Sequence, residues 1–274
     1  MKIIKLLIAF FSIFTNAQTN RFIYELNYKE SPKNENLEKI YMVLDINPND
    51  VKYYDSSFLE KDSLNKIHHS QNTNWTDQIP IIRKKNSNIN QNYVEIGDNI
   101  YVYETKDILN WKLTNETQKI ENFNAQKAIL KFGGRNWIAW FTKDIPFNEG
   151  PYKFNGLPGL ILKINDVDNN FNFELIKINN LSETYDTSNI LEIRYGDKPI
   201  KISEKQALKK AKEYFNDPFN DIRLGLNSGR IQSFEFYGVK YGAKDLAKLT
   251  EEAQDDIINY YNPIELDKSL YPMQ

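Results

Sequence analysis

Short runs with an apolar residue at every second position recur along this chain, and that period admits pleated strands and little else. Phe22, Tyr24, Leu26 and Tyr28 alternate with Ile23, Glu25, Asn27 and Lys29, which places four large side chains on one face. The same spacing sets Ala128, Leu130 and Phe132 on one face of a second strand and Trp137, Ala139 and Phe141 on one face of a third. Phe171, Phe173 and Leu175 repeat it. The 17 Tyr and 16 Phe residues suit such surfaces, because broad rings pack well on a half-buried pleat.

Turn residues between the runs predict how the strands pair. Residues 40–46 and 51–54 read as a hairpin around Asn47-Pro48-Asn49-Asp50, and residues 93–96 and 100–104 as another around Gly97-Asp98-Asn99. Residues 160–164 and 171–178 flank a polar turn over 166–170. Residues 108–113 are a further strand candidate, and Ile145-Pro146 ends the strand that carries Trp137, since proline cannot donate to a central ladder. Residues 58–67 suggest a short helix, while 71–77 and 86–91 read as polar loops. Later the period lengthens. Ser203 with Gln206 forms a capping box ahead of a helix over 207–215, which Asn216-Asp217-Pro218 stops. After a short strand over 231–237, residues 242–261 carry Leu246, Leu249, Ala253 and Ile257 along one helical stripe. No repeat or linker divides the chain. The expected fold is mainly β within the α+β class: a curved antiparallel sheet or half-barrel with two helices late in the chain.

The first residues predict export. Lys2 and Lys5 precede an apolar run over 6–14, broken only by Ser12, and Thr15-Asn16-Ala17 offers small residues for a signal peptidase. Cleavage after Ala17 leaves Gln18 as the new N-terminus and a single domain over 18–274. The run is shorter than the roughly 20 residues a membrane span needs, and no later segment reads as one. The expected location is periplasmic or secreted, soluble once the signal peptide is removed. The chain has no cysteine, which excludes an acylated lipoprotein terminus and disulfides and leaves stability to burial alone. Basic and acidic residues number 35 and 37 and are dispersed, so no stripe marks a nucleic-acid surface.

The middle of the chain carries a set of ordered blocks: Gln126-Lys127-Ala128, Gly134-Arg135, Trp140-Phe141-Thr142, Ile145-Pro146, Gly150-Pro151 and Gly156-Leu157-Pro158-Gly159-Leu160-Ile161. Over residues 124–164 this resembles the GLPGLI family of exported proteins from Bacteroidetes-type bacteria, and Asn262-Pro263-Ile264-Glu265 resembles the family's C-terminus. Ala125 departs from the pattern, standing where relatives often carry a cysteine. The resemblance implies an exported protein of this size and no particular reaction. Physically, Pro158-Gly159 suits the centre of a type II turn, and Gly156 a close approach of backbone. Leu157 is then an apolar tip, either packed to close the sheet or exposed for docking.

Candidate binding residues follow from these blocks. Trp137 and Trp140 lie three apart on a strand and point to opposite faces, one into the core and one toward solvent or a concave cavity. Arg135 is placed to pair with an anionic head group, or with Asp144 or Glu149. Arg135, Trp137, Trp140 and Leu157 are the ligand or partner candidates, with Gly134, Gly150, Pro151, Gly156, Pro158 and Gly159 as structural motif. His68-His69 diverge too far to share a metal, and residues 166–170 suit a hairpin turn better than a calcium loop. No nucleophile motif is present. No catalytic residue, metal site or cofactor is assigned. The expected role is non-enzymatic binding of an apolar ligand or of an outer-membrane receptor-type partner. The alternative is a secreted hydrolase acting on peptide or glycan through carboxylates.

Overall fold

The computed structural model describes residues 19–73, 76, 78–236 and 238–273. The predicted signal peptide over 1–17 lies outside the described residues. Two antiparallel meanders form the sheet. The first is β1 (Thr19–Tyr28), β2 (Glu38–Ile46), β3 (Asp50–Asp55), β4 (Ile81–Lys84), β5 (Ile89–Ile96) and β6 (Asn99–Lys106). The second is β7 (Lys112–Ile120), β8 (Phe123–Phe132), β9 (Arg135–Thr142), β10 (Leu160–Asp166) and β11 (Phe171–Leu181). They fuse where β1 pairs with β11 over its full length, Thr19 opposite Leu181 and Tyr28 opposite Phe171. A two-residue strand, β12 (Ile200–Lys201), runs parallel to β6 and completes a 12-stranded sheet.

Chain connectivity dictates the curvature of this sheet. β6 and β7 follow each other in sequence but lie ten strand spacings apart in the sheet. In a flat sheet that separation is about 48 Å. The link from Lys106 to Lys112 reaches at most about 22 Å. The sheet therefore curls on itself into an open barrel, with the 107–111 link crossing near the gap. Residues 108–113 were expected to form a strand; only from Lys112 do they do so, because the link is committed to this crossing.

The concave side carries the main core. Phe22, Tyr24 and Leu26 of β1 face Trp137, Ala139 and Phe141 of β9 and Phe171 and Phe173 of β11 within one buried cluster. An insert between β9 and β10, residues 143–159, fills the space they enclose with Ile145, Phe147, Tyr152, Phe154 and Leu157. The Phe154 ring lies 4.7 Å from that of Trp137 and 5.8 Å from that of Phe132. Rings at such separations attract beyond the burial of their area. On the convex side, α1 (Ser57–His68) and a π-helical turn at Ser188–Glu192 cover Val43 and Tyr54 with Phe58, Ile190 and Leu191. Strand β3 and the second half of β2, from Met42, are consequently buried on both faces. His68 and His69 end α1 in solvent, and His69 caps it in the left-handed conformation.

α2 (Glu204–Asn216) begins with the expected capping box and buries Ala207 and Ala211 against Val94, Ile96, Tyr101 and Tyr103. The Ser203 side chain accepts from Gln206 N at 3.3 Å, while Gln206 Oε1 accepts from Ser203 N at 2.8 Å. Ser203→Ala is expected to cost about 1 kcal/mol, read as a lower midpoint in urea. α3 (Asn220–Asn227) and α4 (Leu246–Asn259) pack with Phe219 and a small hairpin of β13 (Phe234–Phe236) and β14 (Val239–Tyr241). Three helices thus stand late in the chain among the described residues, not two. α3 is short and carries Gly225 inside it, so its period was too weak to register. The polar loop expected over 86–91 is also cut short: β5 starts at Ile89, and its Asn90 and Asn92 are buried.

Candidate functional site

The inner face changes character from strand to strand. On β1 to β3 it is apolar, but on β4 to β6 it carries Arg83, Asn90, Asn92 and Thr105. Arg83 stands opposite Asn90, and Asn90 opposite Thr105. Buried polar groups need partners, and two other segments supply them. The insert brings Glu149 to Arg83 and sends Lys153 toward Thr105. The C-terminal segment brings Glu265 and Lys268.

Lys153, only 2% exposed, is the hub. Its Nζ lies 2.5 Å from Glu265 Oε1, 3.3 Å from Thr105 Oγ1 and 3.6 Å from Asp107 Oδ2. Tyr152 donates its hydroxyl to the same Glu265 oxygen at 2.6 Å. Asp107 accepts from Thr105 at 2.6 Å, from Asn90 at 2.9 Å and from Lys268 at 2.9 Å. Burial alone would raise the Asp107 carboxyl, but Lys153 and these three hydrogen bonds outweigh it and hold the group below the ordinary carboxylate range. Burial, reinforced by Glu265, pushes the Tyr152 phenol well above its ordinary value, so it stays a donor. Lys268 also reaches Glu265 Oε2 at 3.4 Å and Glu204 Oε1 at 3.6 Å.

Arg135 delivers Glu265 to this cluster. It donates to Asn262 Oδ1 at 2.6 Å, to the carbonyls of Pro263 at 2.9 Å and Ile264 at 3.2 Å, and to Asp166 at 3.3 Å. Its guanidinium also lies over the Phe171 ring at 5.0 Å. The Gly133-Gly134 turn beside it has φ of +61° and +75°, the double left-handed geometry of a tight hairpin. A Cβ on Gly133 would lie 2.9 Å from Glu265 Cα, and Leu266 N donates to Gly133 O at 2.7 Å. The tail from 262 to 266 is thereby strapped across the sheet end.

Between this strap, the insert and strands β1, β5 and β6 lies a cavity of about 280 Å³. Tyr28, Tyr103, Tyr152, Phe171, Tyr261 and Tyr271 wall it, and Lys153, Glu204, Glu265 and Lys268 reach it together. Tyr260, 66% exposed, stands at its edge. Among the described residues no group of three or more His, Asp or Glu side chains is placed to hold a metal ion.

The candidates read from sequence are distributed differently. Arg135 is buried, and its acidic partner is Asp166 at the end of β10; Glu149 is taken by Arg83, and Asp144 is exposed just past β9. Trp137 is core, packed on Phe154, and Trp140 points to the other face, half-buried. Of the two alternatives for Leu157, packed against the sheet or exposed for docking, burial favours the first: it is 1% exposed and belongs to the main core, because the insert folds inward. The type II turn is replaced by a tighter one in which Gly159 N donates to Leu157 O across Pro158. The close approach falls at Gly159, whose Cβ would meet Thr142 O, and not at Gly156, which has open space around it. Gly150 packs on Ile161, and buried Pro151 accepts from Phe154 N. Sequence reasoning missed Lys153, Asp107, Glu265 and Lys268. Lys153 between Tyr152 and Phe154 was the available sign: one charge inside an aromatic run.

A family model described as a protein of unknown function (Porph_ging) matches residues 133–163, from the β8–β9 turn through the insert into β10. No curated protein sequence matches the chain. Among solved structures the chain is similar to PNGF-II in its C2 and P21 space groups, at 16% and 14% identity and a TM-score of 0.53 in each. The similarity covers 71% of this chain and 32% and 33% of PNGF-II, so the chain spans about a third of that protein, and the likeness is one of fold.

Proposed function

We propose that this chain is an exported binding protein of the cell envelope that holds a small amphiphilic molecule in the cavity beneath its C-terminal strap. The observation that carries this reading is the cavity itself, whose aromatic walls end in a charged cluster. Pockets with apolar walls and a few convergent polar groups are the usual seats of small ligands. A purely apolar cargo on the concave face is disfavoured, since the insert already occupies that face. Export through a signal peptide over 1–17, one domain over 18–274 and kinship with the GLPGLI proteins belong to the same proposal. The matched stretch 133–163 contains the hexapeptide that suggested the kinship. Among the described residues no helix is long and apolar enough to cross a membrane.

One observation favours the hydrolase alternative: Asp107, Glu204 and Glu265 converge on Lys268. Glycoside hydrolysis by two carboxylates needs one held protonated near neutral pH. Asp107 is pushed the opposite way. Burial raises the Glu149 carboxyl against the pull of Arg83, but Glu149 does not line the cavity. Docking through Leu157 has no surface to use. The long outer edge, β7, is dotted with Lys and Glu, which discourages strand addition.

Native mass spectrometry on residues 18–274, purified from an envelope fraction, tests the reading. The expected result is one extra small-molecule mass that disappears on denaturation and is held less well by Tyr260→Ala at the cavity edge. A clean apo mass across repeated preparations would sink it.

A further inference from the structure

We infer that the molecule bound in this cavity is an organic cation, an ammonium group on an aromatic or aliphatic body, seated with its charge on Glu265 and Glu204. This rests on the binding reading above and names the ligand's chemistry. Three features of the site support it.

The first is charge. Among the described residues Asp107, Glu204 and Glu265 pair only with Lys153 and Lys268, so three acids share two ammonium groups. The rim does not offset this excess: Lys29 pairs with Glu35 at 3.1 Å, and Glu95 is met by Arg194 at 3.5 Å. An arriving anion would add to the excess, and an arriving cation would cancel it.

The second is unmet hydrogen bonding. Glu265 Oε2 is buried, on a side chain only 7% exposed, and has no hydrogen-bond partner among the described residues; Glu204 Oε1 shares that condition. A buried carboxylate oxygen without a donor is costly, and such groups are rarely left so. Both oxygens accept and cannot donate. Lys268 stands 3.4 Å from Glu265 Oε2 and 3.6 Å from Glu204 Oε1 without hydrogen-bonding either, and it donates instead to Asp107, so three carboxylates share this one ammonium. What these two oxygens lack is a donor in hydrogen-bonding geometry, and an ammonium brings three N–H groups.

The third is the wall. Tyrosine rings present a negative π face that attracts cations, and Tyr103, Tyr152, Tyr261 and Tyr271 line the cavity beside the two acids. At about 280 Å³ it lies at the small end of ligand pockets, which suits one ring-sized molecule.

Isothermal titration of residues 18–274 with three probes of one shape tests this: tyramine, the neutral alcohol tyrosol and the anion 4-hydroxyphenylacetate. Tyramine is expected to bind about tenfold or more tighter than tyrosol, and the anion to give no measurable heat. Glu204→Gln and Glu265→Gln are each expected to weaken tyramine about tenfold. Glu204 is half-exposed in the first turn of α2, so its variant keeps the fold, as circular dichroism would verify, even if Glu265→Gln does not. Tyrosol binding as tightly as tyramine, the anion binding best, or no probe binding would each overturn the inference. A bound mass in the native spectrum alongside any of those results leaves the binding reading standing while the cation fails. An apo protein removes both.

Discussion

Gly159→Ala is expected to abolish folding of the chain. The glycine sits at φ +149°, and a Cβ there would lie 1.9 Å from Thr142 O and 2.6 Å from Thr142 C. Those are backbone atoms, and Thr142 is fixed by pairing with Ala125 on one side and Leu160 on the other. Neither strand can retreat without breaking a ladder. The expected loss exceeds about 4 kcal/mol, in the range reserved for core or backbone failure. Gly156→Ala makes the control. It has φ +90° but open space, so only the conformational cost of about 1–2 kcal/mol applies. Soluble yield and urea midpoints for the two variants check the ranking. Equal midpoints would mean that the insert does not pass this close to β9.

The second large effect is expected at Lys153. Its replacement by methionine keeps most of the apolar stem but leaves Glu265 and Asp107 with only the partly exposed Lys268 between them. Breaking a buried pair by removing one partner costs about 3–5 kcal/mol. The pH dependence has a definite sign. In the intact protein Asp107 titrates below its unfolded value, so its stabilisation is present above the unfolded pKa and is lost as pH falls through the folded one. In Lys153→Met the repulsion between the acids exists only while both are ionised. The penalty is therefore expected to shrink as pH drops toward the carboxylate range and to be largest at neutral pH. Urea midpoints of both proteins at pH 7 and near pH 4 measure this, and a penalty that does not change with pH would refute it.

The fold was legible where one face of a strand is apolar, and the site was hidden where it is not. Period two located β1, β8, β9 and β11, and turn residues located the hairpins β2–β3 and β5–β6. The Ser203 box marked the N-cap of α2, although the helix runs over Glu204–Asn216 and not only over 207–215. The insert defeated the same reading because its aromatics answer to the barrel interior and have no period of their own. Leu157 looks like a tip in sequence and becomes core only because residues 143–159 turn inward. The cluster around Lys153 joins residues 90, 105, 107, 153, 265 and 268, and no spacing rule connects them. Arg135 was expected to meet an anionic head group, Asp144 or Glu149, and its acidic partner is Asp166 instead. The carbonyl contacts of Arg135 to 263 and 264, which turn it into the strap's anchor, depend on a tail more than a hundred residues away.

The seam between β1 and β11 has a consequence in time. Every other long pairing joins near neighbours in sequence, but this one ties residues 19–28 to 171–181. Such distant pairings close slowly, because chain entropy is spent before any contact repays it. Until residue 171 has emerged, the first meander carries β1 as a bare edge with Phe22, Tyr24 and Leu26 uncovered, the sort of edge that recruits foreign strands. At roughly 5–20 residues per second of synthesis, that exposure lasts on the order of ten seconds. The nascent chain is therefore most prone to aggregate before its second half arrives, and a truncation ending ahead of β11 is the form in which the hazard becomes permanent.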